Sequence, residues 1–211
     1  MSKLSRVLVA MAGLVLALLY FTPLWRIDLG APQYPEGLGM RIWVHQIQGA
    51  TPNDLQNING LNHYIGMAPI HPDEIPELRF MPWVVAGLIG GALTVAAAGK
   101  RPLLFGFTAL YAVVAAVGLY DFWRWEFDYG HNLDPTAAIR IPGASYQPPL
   151  IGAKKILNFT ASSWPDVGGV AAFVSLALVL VAVALELRRR AERPASVATP
   201  VPTLAARATG A

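Results

Sequence analysis

The chain of 211 residues contains no cysteine, and charged residues make up only 14% of it. Because cysteine is absent, disulfide bonds, thiolate metal sites and thiol redox chemistry are excluded. A soluble domain carries about 25% charged residues, whereas hydrophobic residues make up 55% of this chain. The composition therefore indicates a protein that places much of its surface in a lipid bilayer.

Four apolar runs have about the length that a membrane crossing needs, which is about 20 residues. The first is not read as a signal peptide, because Pro23 and Trp25 follow it instead of a small-residue cleavage site. We predict an all-α membrane protein with four transmembrane helices and two extracytoplasmic loop segments that form a small mixed cap. The runs are Val7 to Phe21, Met81 to Gly99, Leu103 to Tyr120 and Val167 to Leu187.

Three clusters of basic residues border the predicted spans, and all three fall on the same side of them. Lys3 and Arg6 precede the first, Lys100 and Arg101 separate the second from the third, and arginines follow the fourth. Positive charge marks the cytoplasmic side, so we predict a bacterial inner-membrane protein with both termini in the cytoplasm. The predicted segments are a cytoplasmic N-terminus 1–6, spans 7–24, 81–99, 103–121 and 167–187, extracytoplasmic segments 25–80 and 122–166, a cytoplasmic turn 100–102 and a disordered cytoplasmic tail 188–211.

The predicted spans lack ionisable residues and histidine in their interiors. Arg6, Asp121 and Glu186 lie only at their ends. Transporters and proton relays need such groups within the membrane, and a membrane haem needs an axial ligand there. We therefore expect neither transport nor a haem within the membrane. The expected partners are the bilayer and other membrane or periplasmic proteins, and no nucleic acid.

The first outer segment shows one strand pattern and one helix pattern. Apolar and polar residues alternate over Met40–His45, which is typical of a strand. Thr51 and the proline after it are a helix start. We expect this helix to end at about Ile58, before Gly60.

The second outer segment begins by prolonging the third helix to about Tyr129, with Gly130 as its stop. On this extension Asp121, Arg124 and Asp128 are spaced to form a charge ladder on one helix face. A proline-rich path with little room for long elements follows. The residues expected to have interaction or structural roles are Asn57, Asn62, Asp121, Arg124, Glu126, Asp128 and Asp134.

All four histidines lie in the outer segments, and so does Met67. Imidazole and thioether together suit copper, especially Cu(I). We predict that His63, Met67, His71 and His131 lie close enough to hold one copper ion, or to position a partner's copper-loading site.

A structural interpretation of the same residues stays open. Asn57, Asn59, Asn62 and His63 would then satisfy the backbone of a buried loop, and Met67 would only pack. His131 would be a solvated residue just past a helix end. The aromatic residues Trp123, Trp125 and Phe127 would form an interfacial belt.

Four stretches of the outer segments carry a resemblance to a known group. They read YPEGLGMRIWVHQIQG, NINGLNHYIGM, YDFWRWEFDYGHNLDP and YQPPLIG, and they lie between Gln33 and Gly169. They resemble small bacterial four-span proteins associated with nitrous-oxide reductase gene clusters. Nitrous-oxide reductase is a periplasmic multicopper enzyme whose maturation needs copper delivery. The resemblance implies an accessory role in copper handling or maturation, and it assigns no functional residues.

Two other functions compete with copper handling. A structural or docking subunit of a membrane electron-transfer complex would need a partner but no metal ligand. An enzyme at the membrane surface could use Asp121, Glu126, Asp128 or His131 as acid and base. No nucleophile motif, phosphate loop or metalloprotease signature supports the enzyme.

Overall fold

A computed structural model describes residues 1–156 and 158–191, which form five α-helices and five β-strands. Two short 3-10 helices cover Ala17–Tyr20, directly after the first α-helix, and Pro72–Glu74. The helices are α1 (Lys3–Leu16), α2 (Asp54–Ile65), α3 (Glu77–Ala98), α4 (Arg101–His131) and α5 (Val167–Ala191), and the strands are β1 (Trp25–Ala31), β2 (Tyr34–Ile42), β3 (Ile47–Gly49), β4 (Gly152–Ile156) and β5 (Phe159–Pro165).

The prediction of an all-α protein is wrong, because the fold is mixed α/β. The two outer segments together build one five-stranded antiparallel sheet with the order β3-β2-β1-β5-β4. The first outer segment supplies β1, β2 and β3, and the second supplies β4 and β5. The central pairing of β1 with β5 therefore joins segments that are more than a hundred residues apart in the chain.

The strand signals were hidden by their neighbours in the sequence. In β1, Trp25, Ile27 and Ala31 are buried. This alternation follows the first apolar run directly, so in the sequence it looks like the end of that run and not like a strand. In β5 the buried positions are small, Ala161 and Ser163, so no hydrophobic alternation marks the strand. The pattern recognised at Met40–His45 covers only the end of β2.

Four helical stretches are long and apolar enough to cross a membrane by length and composition. The helix α1 lies at the centre of this bundle, where it packs between α3 and α5. Their shared core contains Val9, Ala12 and Leu16 from α1 together with Ala92 and Val179. The four candidate spans are Lys3–Tyr20, Glu77–Ala98, Arg101–His131 and Val167–Ala191. Residues 188–191, which were predicted to begin a disordered tail, are the helical end of α5, and the rest of that tail, 192–211, lies outside the described residues.

The start of α5 lies tightly against the chain that leaves α1. A Cβ atom on Gly169 would lie 2.3 Å from the carbonyl oxygen of Leu24, and one on Gly168 would lie 2.8 Å from that of Pro23. The Gly168 N–H donates to the same Pro23 oxygen at 2.8 Å. Only glycine permits this approach, so the two glycines fix how the sheet sits on the bundle.

The helix α4 continues well beyond the length that a bilayer requires. Its 31 residues extend about 46 Å at about 1.5 Å per residue, against a hydrocarbon core of about 30 Å. The last ten residues, 122–131, therefore stand outside the apolar span, and we call them the α4 extension. Its Phe122 ring lies 5.3 Å from the ring of Trp25 in the sheet.

Two glycines expected to end helices lie inside them instead. The helix α2 runs past Gly60 to Ile65 and ends at Gly66, which has a left-handed φ of 81°. Gly130 is buried within α4, and a Cβ there would lie 2.4 Å from the Gln147 nitrogen. In both cases the glycine is tolerated because packing stabilises the helix, and at Gly130 the missing side chain lets another segment approach.

A buried carboxylate joins the helices at the end opposite the sheet. Glu186 is 1% exposed. It accepts hydrogen bonds from the Ser2 backbone N–H at 2.6 Å, the Ser5 hydroxyl at 2.8 Å and the Arg101 guanidinium at 2.6 Å. Arg6 also donates to two carbonyl oxygens at the end of α3. These contacts connect α1, α3, α4 and α5 at one end.

Replacing Glu186 by alanine should lower the free energy of unfolding by on the order of 3 kcal/mol, because it leaves Arg101 and two other donors without their acceptor. Unfolding in mixed micelles would measure the change. Lys100→Ala, which removes an exposed charge beside Arg101, is the control and should change stability by no more than about 0.5 kcal/mol. Equal losses in the two variants would contradict the anchoring role.

Candidate functional site

The two outer segments meet again at the end of α2. The Asp134 N–H donates to the Gly66 carbonyl at 2.8 Å, and the Ile139 N–H donates to the Tyr64 carbonyl at 2.9 Å. A Cβ on Gly66 would lie 2.9 Å from the Asp134 carbonyl oxygen. The left-handed glycine thus permits both the helix end and the approach of the second segment.

An open pocket of about 510 Å³ lies at this junction, and we call it the junction pocket. His63, on the last turn of α2, contributes an exposed imidazole, and Met67 contributes a half-buried thioether just after the helix. From the other segment, Asp134 contributes a carboxylate. The complete lining is His63, Gly66, Met67, Ala68, Pro69, Asn132, Leu133 and Asp134.

Two of the four predicted copper ligands do not line the junction pocket. His71 precedes the 3-10 helix Pro72–Glu74 and is exposed. His131 ends α4, where its ring stacks on that of Phe127 with 3.9 Å between centroids. Its Nδ1 lies 3.0 Å from the Phe127 carbonyl oxygen. The structure therefore brings together His63 and Met67 from the predicted set, with Asp134 beside them.

The donors of the junction pocket suit a soft metal better than a hard one. Within residues 1–156 and 158–191, no group of three or more His, Cys, Asp or Glu side chains is arranged to hold a metal. A thioether can also bind a metal, and the pocket offers one imidazole and one thioether. This pair fits Cu(I), which accepts nitrogen and sulfur donors. Asp134 would add negative charge near the cation.

Asparagine side chains shape the loop that carries Met67. The Asn59 amide donates to the Ile70 carbonyl at 3.1 Å and accepts from its N–H at 2.8 Å. Asn62 is buried. Its side-chain NH2 group donates to the Ala68 carbonyl at 3.4 Å, and its backbone carbonyl accepts from the Met67 N–H at 2.9 Å. These contacts agree with the structural interpretation of the asparagines, and they also hold Met67 in the pocket.

Asn57 lies apart from the junction pocket. It lines a separate polar pocket of about 630 Å³ between α2 and the face of the sheet. Asp28 and Arg41, which form an ion pair at 2.7 Å, line the same polar pocket.

Asp134 is held by its own turn. One carboxylate oxygen accepts from both the N–H and the hydroxyl of Thr136, each at 2.7 Å. These two hydrogen bonds hold the pKa of Asp134 below its usual value, and the nearby His63 adds to the effect. The carboxylate therefore stays charged beside the imidazole near neutral pH.

The expected charge ladder on α4 is only a single exposed pair in the described chain. The Arg124 Nε lies 3.8 Å from the Asp128 carboxylate, and the two side chains are 66% and 50% exposed. A pair of this kind contributes about 0–1 kcal/mol. Asp121 instead lines a groove between α3 and α4. Arg124 therefore does not lock the second outer segment against the first.

Glu126, on the opposite face of the α4 extension, is fully buried. In the described part of the chain, neither of its carboxylate oxygens has a hydrogen-bond partner. Burial raises the pKa of Glu126 to about 8. A neutral carboxyl group is the form that such a site tolerates near pH 7, because an isolated buried charge is very costly.

Asp54 positions the helix that carries His63, a role that the sequence reading missed. Its buried carboxylate accepts from the Gly39 N–H of β2 at 2.9 Å, and from the Thr51 N–H at 3.1 Å and hydroxyl. Burial alone would raise the pKa of Asp54, but the hydrogen bonds from Thr51 and Gly39 outweigh it and lower the value. The available signal was the Thr-Pro-Asn-Asp start of α2, which indicated a helix but not its sheet partner.

The chain matches no protein-family model, and comparisons with curated proteins and with solved structures find no match either. The function therefore has to be argued from the chemistry of the junction pocket and from its place in the fold.

Glu126 should make the stability of the protein depend on pH. The folded state keeps the proton up to about pH 8, whereas the ordinary value for the unfolded chain is 4.5. Stability should therefore fall as the pH rises from 4.5 to about 8 and then level off, with a slope of at most about 1.4 kcal/mol per pH unit. Melting temperatures of the purified protein from pH 5 to 9 would measure this.

Glu126→Gln removes the titration and should flatten the stability profile over this range. Glu36→Gln changes an exposed carboxyl and is the matched control, which should keep the wild-type slope. A Glu126→Gln profile as steep as that of the wild type would show that other groups cause the pH dependence.

Proposed function

We propose that this protein is a bacterial inner-membrane accessory protein that handles copper(I) at its outer face. It would assist the maturation of a periplasmic copper enzyme such as nitrous-oxide reductase. The observation that carries the proposal is that His63 and Met67 line the same open pocket. The resemblance of the outer segments to proteins from nitrous-oxide reductase gene clusters agrees with it.

The donor set of the junction pocket suits transfer of copper better than storage. An imidazole and a thioether bind Cu(I) selectively over harder ions. His63 is exposed and Met67 is half-buried, so an incoming donor from a partner protein would have access to a bound ion. A closed site with four ligands would hold the ion more strongly and release it more slowly.

We infer the orientation of the protein in the membrane from the positions of its basic residues. Arg6 and Arg101 take part in the contacts at the end of the bundle opposite the sheet, and three arginines follow Glu186 on α5. Positive charge is retained on the cytoplasmic side. The sheet and the junction pocket would then face the periplasm, with both chain termini in the cytoplasm.

A docking subunit of a membrane electron-transfer complex is the second candidate. One face of α4 carries Tyr120, Trp123, Phe127 and His131 in a continuous row, with 6.0, 5.5 and 3.9 Å between successive ring centroids. Trp123 and Phe127 are exposed although they lie on the α4 extension. An exposed aromatic surface of this kind is typical of a protein contact.

Purified protein should bind about one Cu(I) per chain in competition with a colorimetric Cu(I) chelator under anaerobic conditions. Replacing His63 and Met67 together by alanine should abolish this binding, because both donors of the junction pocket are lost. The matched control is His71→Ala with His131→Ala, which also removes two predicted ligands but leaves the pocket lining unchanged.

The two double variants separate the possible results. If the His71/His131 variant also lost copper binding, the result would support the predicted site with all four ligands. Unchanged binding in the His63/Met67 variant would reject the junction pocket, and the docking subunit would then be the better interpretation. A melting temperature within a few degrees of the wild type shows in each case that the variant is folded.

Reporter fusions should test the orientation. Fusions after Lys100 should report the cytoplasm, and fusions near Asn53 and Ser145 should report the periplasm, because the basic residues retain their end of the bundle inside. A periplasmic signal from the Lys100 fusion would contradict the four-span orientation.

A further inference from the structure

A groove of about 390 Å³ opens between α3 and α4 towards the end that carries the sheet. Near the Lys100 turn the two helices touch, since a Cβ on Gly91 would lie 3.0 Å from the Phe107 ring. Beyond that contact they separate, and Val84 of α3 and Val117 of α4 both line the space. The volume is within the range of small-molecule sites, about 300–1,000 Å³.

The walls of this groove are apolar and open sideways. Phe80, Val113 and Val117 line it and are 50%, 58% and 59% exposed. All three lie within candidate membrane spans. In a bilayer the side opening would therefore face acyl chains, which are the molecules that can fill an apolar space at that depth.

The outer end of the groove is polar and acidic. Glu77, the first residue of α3, and Asp121 line it, and they are the only ionisable side chains among its described lining residues. The groove thus combines an apolar body with two acidic groups.

We propose that this groove binds a phospholipid with a primary ammonium head group, of the ethanolamine type. An acyl chain lies between α3 and α4, and the ammonium group lies at the carboxylates of Glu77 and Asp121.

Charge selects this lipid over other membrane amphiphiles. An anionic head group would add negative charge next to two acids, which is unfavourable in a site partly shielded from water. A quinone has apolar and acceptor groups but no cation to meet the acids. The site is independent of the proposed copper pocket, since the two share no lining residue.

Gly118→Leu tests the acyl-chain position. Gly118 lines the groove on α4, and a Cβ there would have no atom within 4 Å, so a side chain fills the groove without a clash. Gly106→Leu is the matched control, because Gly106 is on the same helix, is equally open and does not line the groove. Both changes also favour the helix.

The measurement is native mass spectrometry of protein released from nanodiscs that contain equal amounts of phosphatidylethanolamine and phosphatidylglycerol. The wild type and Gly106→Leu should each retain one phosphatidylethanolamine. Gly118→Leu should retain about tenfold less, because the leucine takes the place of buried tail contacts. Equal retention by the two leucine variants would overturn the groove as the binding site.

Glu77→Gln with Asp121→Asn tests the head group without filling the groove. This variant should retain lipid but lose the preference for phosphatidylethanolamine. Wild-type retention of phosphatidylglycerol, or of added quinone in place of phospholipid, would overturn the assignment. If Gly118→Leu does not fold, the selectivity of the Glu77/Asp121 variant decides, and a preference equal to that of the wild type rejects the proposal.

Discussion

The pairing of β1 with β5 is the constraint on which the rest of the structure depends. The strand β1 begins five residues after the first candidate span ends at Tyr20, and β5 ends just before α5. Their pairing therefore brings the outer ends of two spans together, and Gly168 and Gly169 let the two backbones touch there. The strands of the two outer segments satisfy each other's backbone hydrogen bonds in this sheet. If the helices cross a bilayer, the irregular backbone of these segments has to stay outside the lipid.

The helix α4 connects two environments that the sequence presents as separate. Its apolar part forms one wall of the groove beside α3, and its extension packs Phe122 against Trp25 of the sheet and buries Glu126. Gly130, near the end of the extension, receives the Gln147 backbone. A rigid helix that takes part in both regions positions the second outer segment over the first. The junction pocket depends on this, since its two sides come from different segments.

Sequence reasoning located the four candidate spans but not the sheet. Length and hydrophobicity are enough to locate a candidate span in a sequence, because each span lies within one continuous apolar run. Strand pairing between Trp25 and Pro165 is nonlocal, and no local pattern specifies a partner 140 residues away. Among the site residues, His63 and Met67 were singled out by chemistry and do share a pocket. Composition could not show that His71 and His131 lie away from this pocket, because their positions depend on the path of the chain after α2 and along α4.

In the described chain, the buried side-chain groups without a hydrogen-bond partner all lie at the sheet end of the molecule. At the end opposite the sheet, the Glu186 carboxylate accepts three hydrogen bonds and is fully paired. At the sheet end, Glu126 and the Trp43 indole are buried without partners in the described chain. Unsatisfied buried groups cost stability and are rare in folded proteins unless the site has another use. Both exceptions, the junction pocket and the acidic groove thus share one end of the molecule, which is the end at which we propose binding, while the paired Glu186 contacts join the helices at the opposite end.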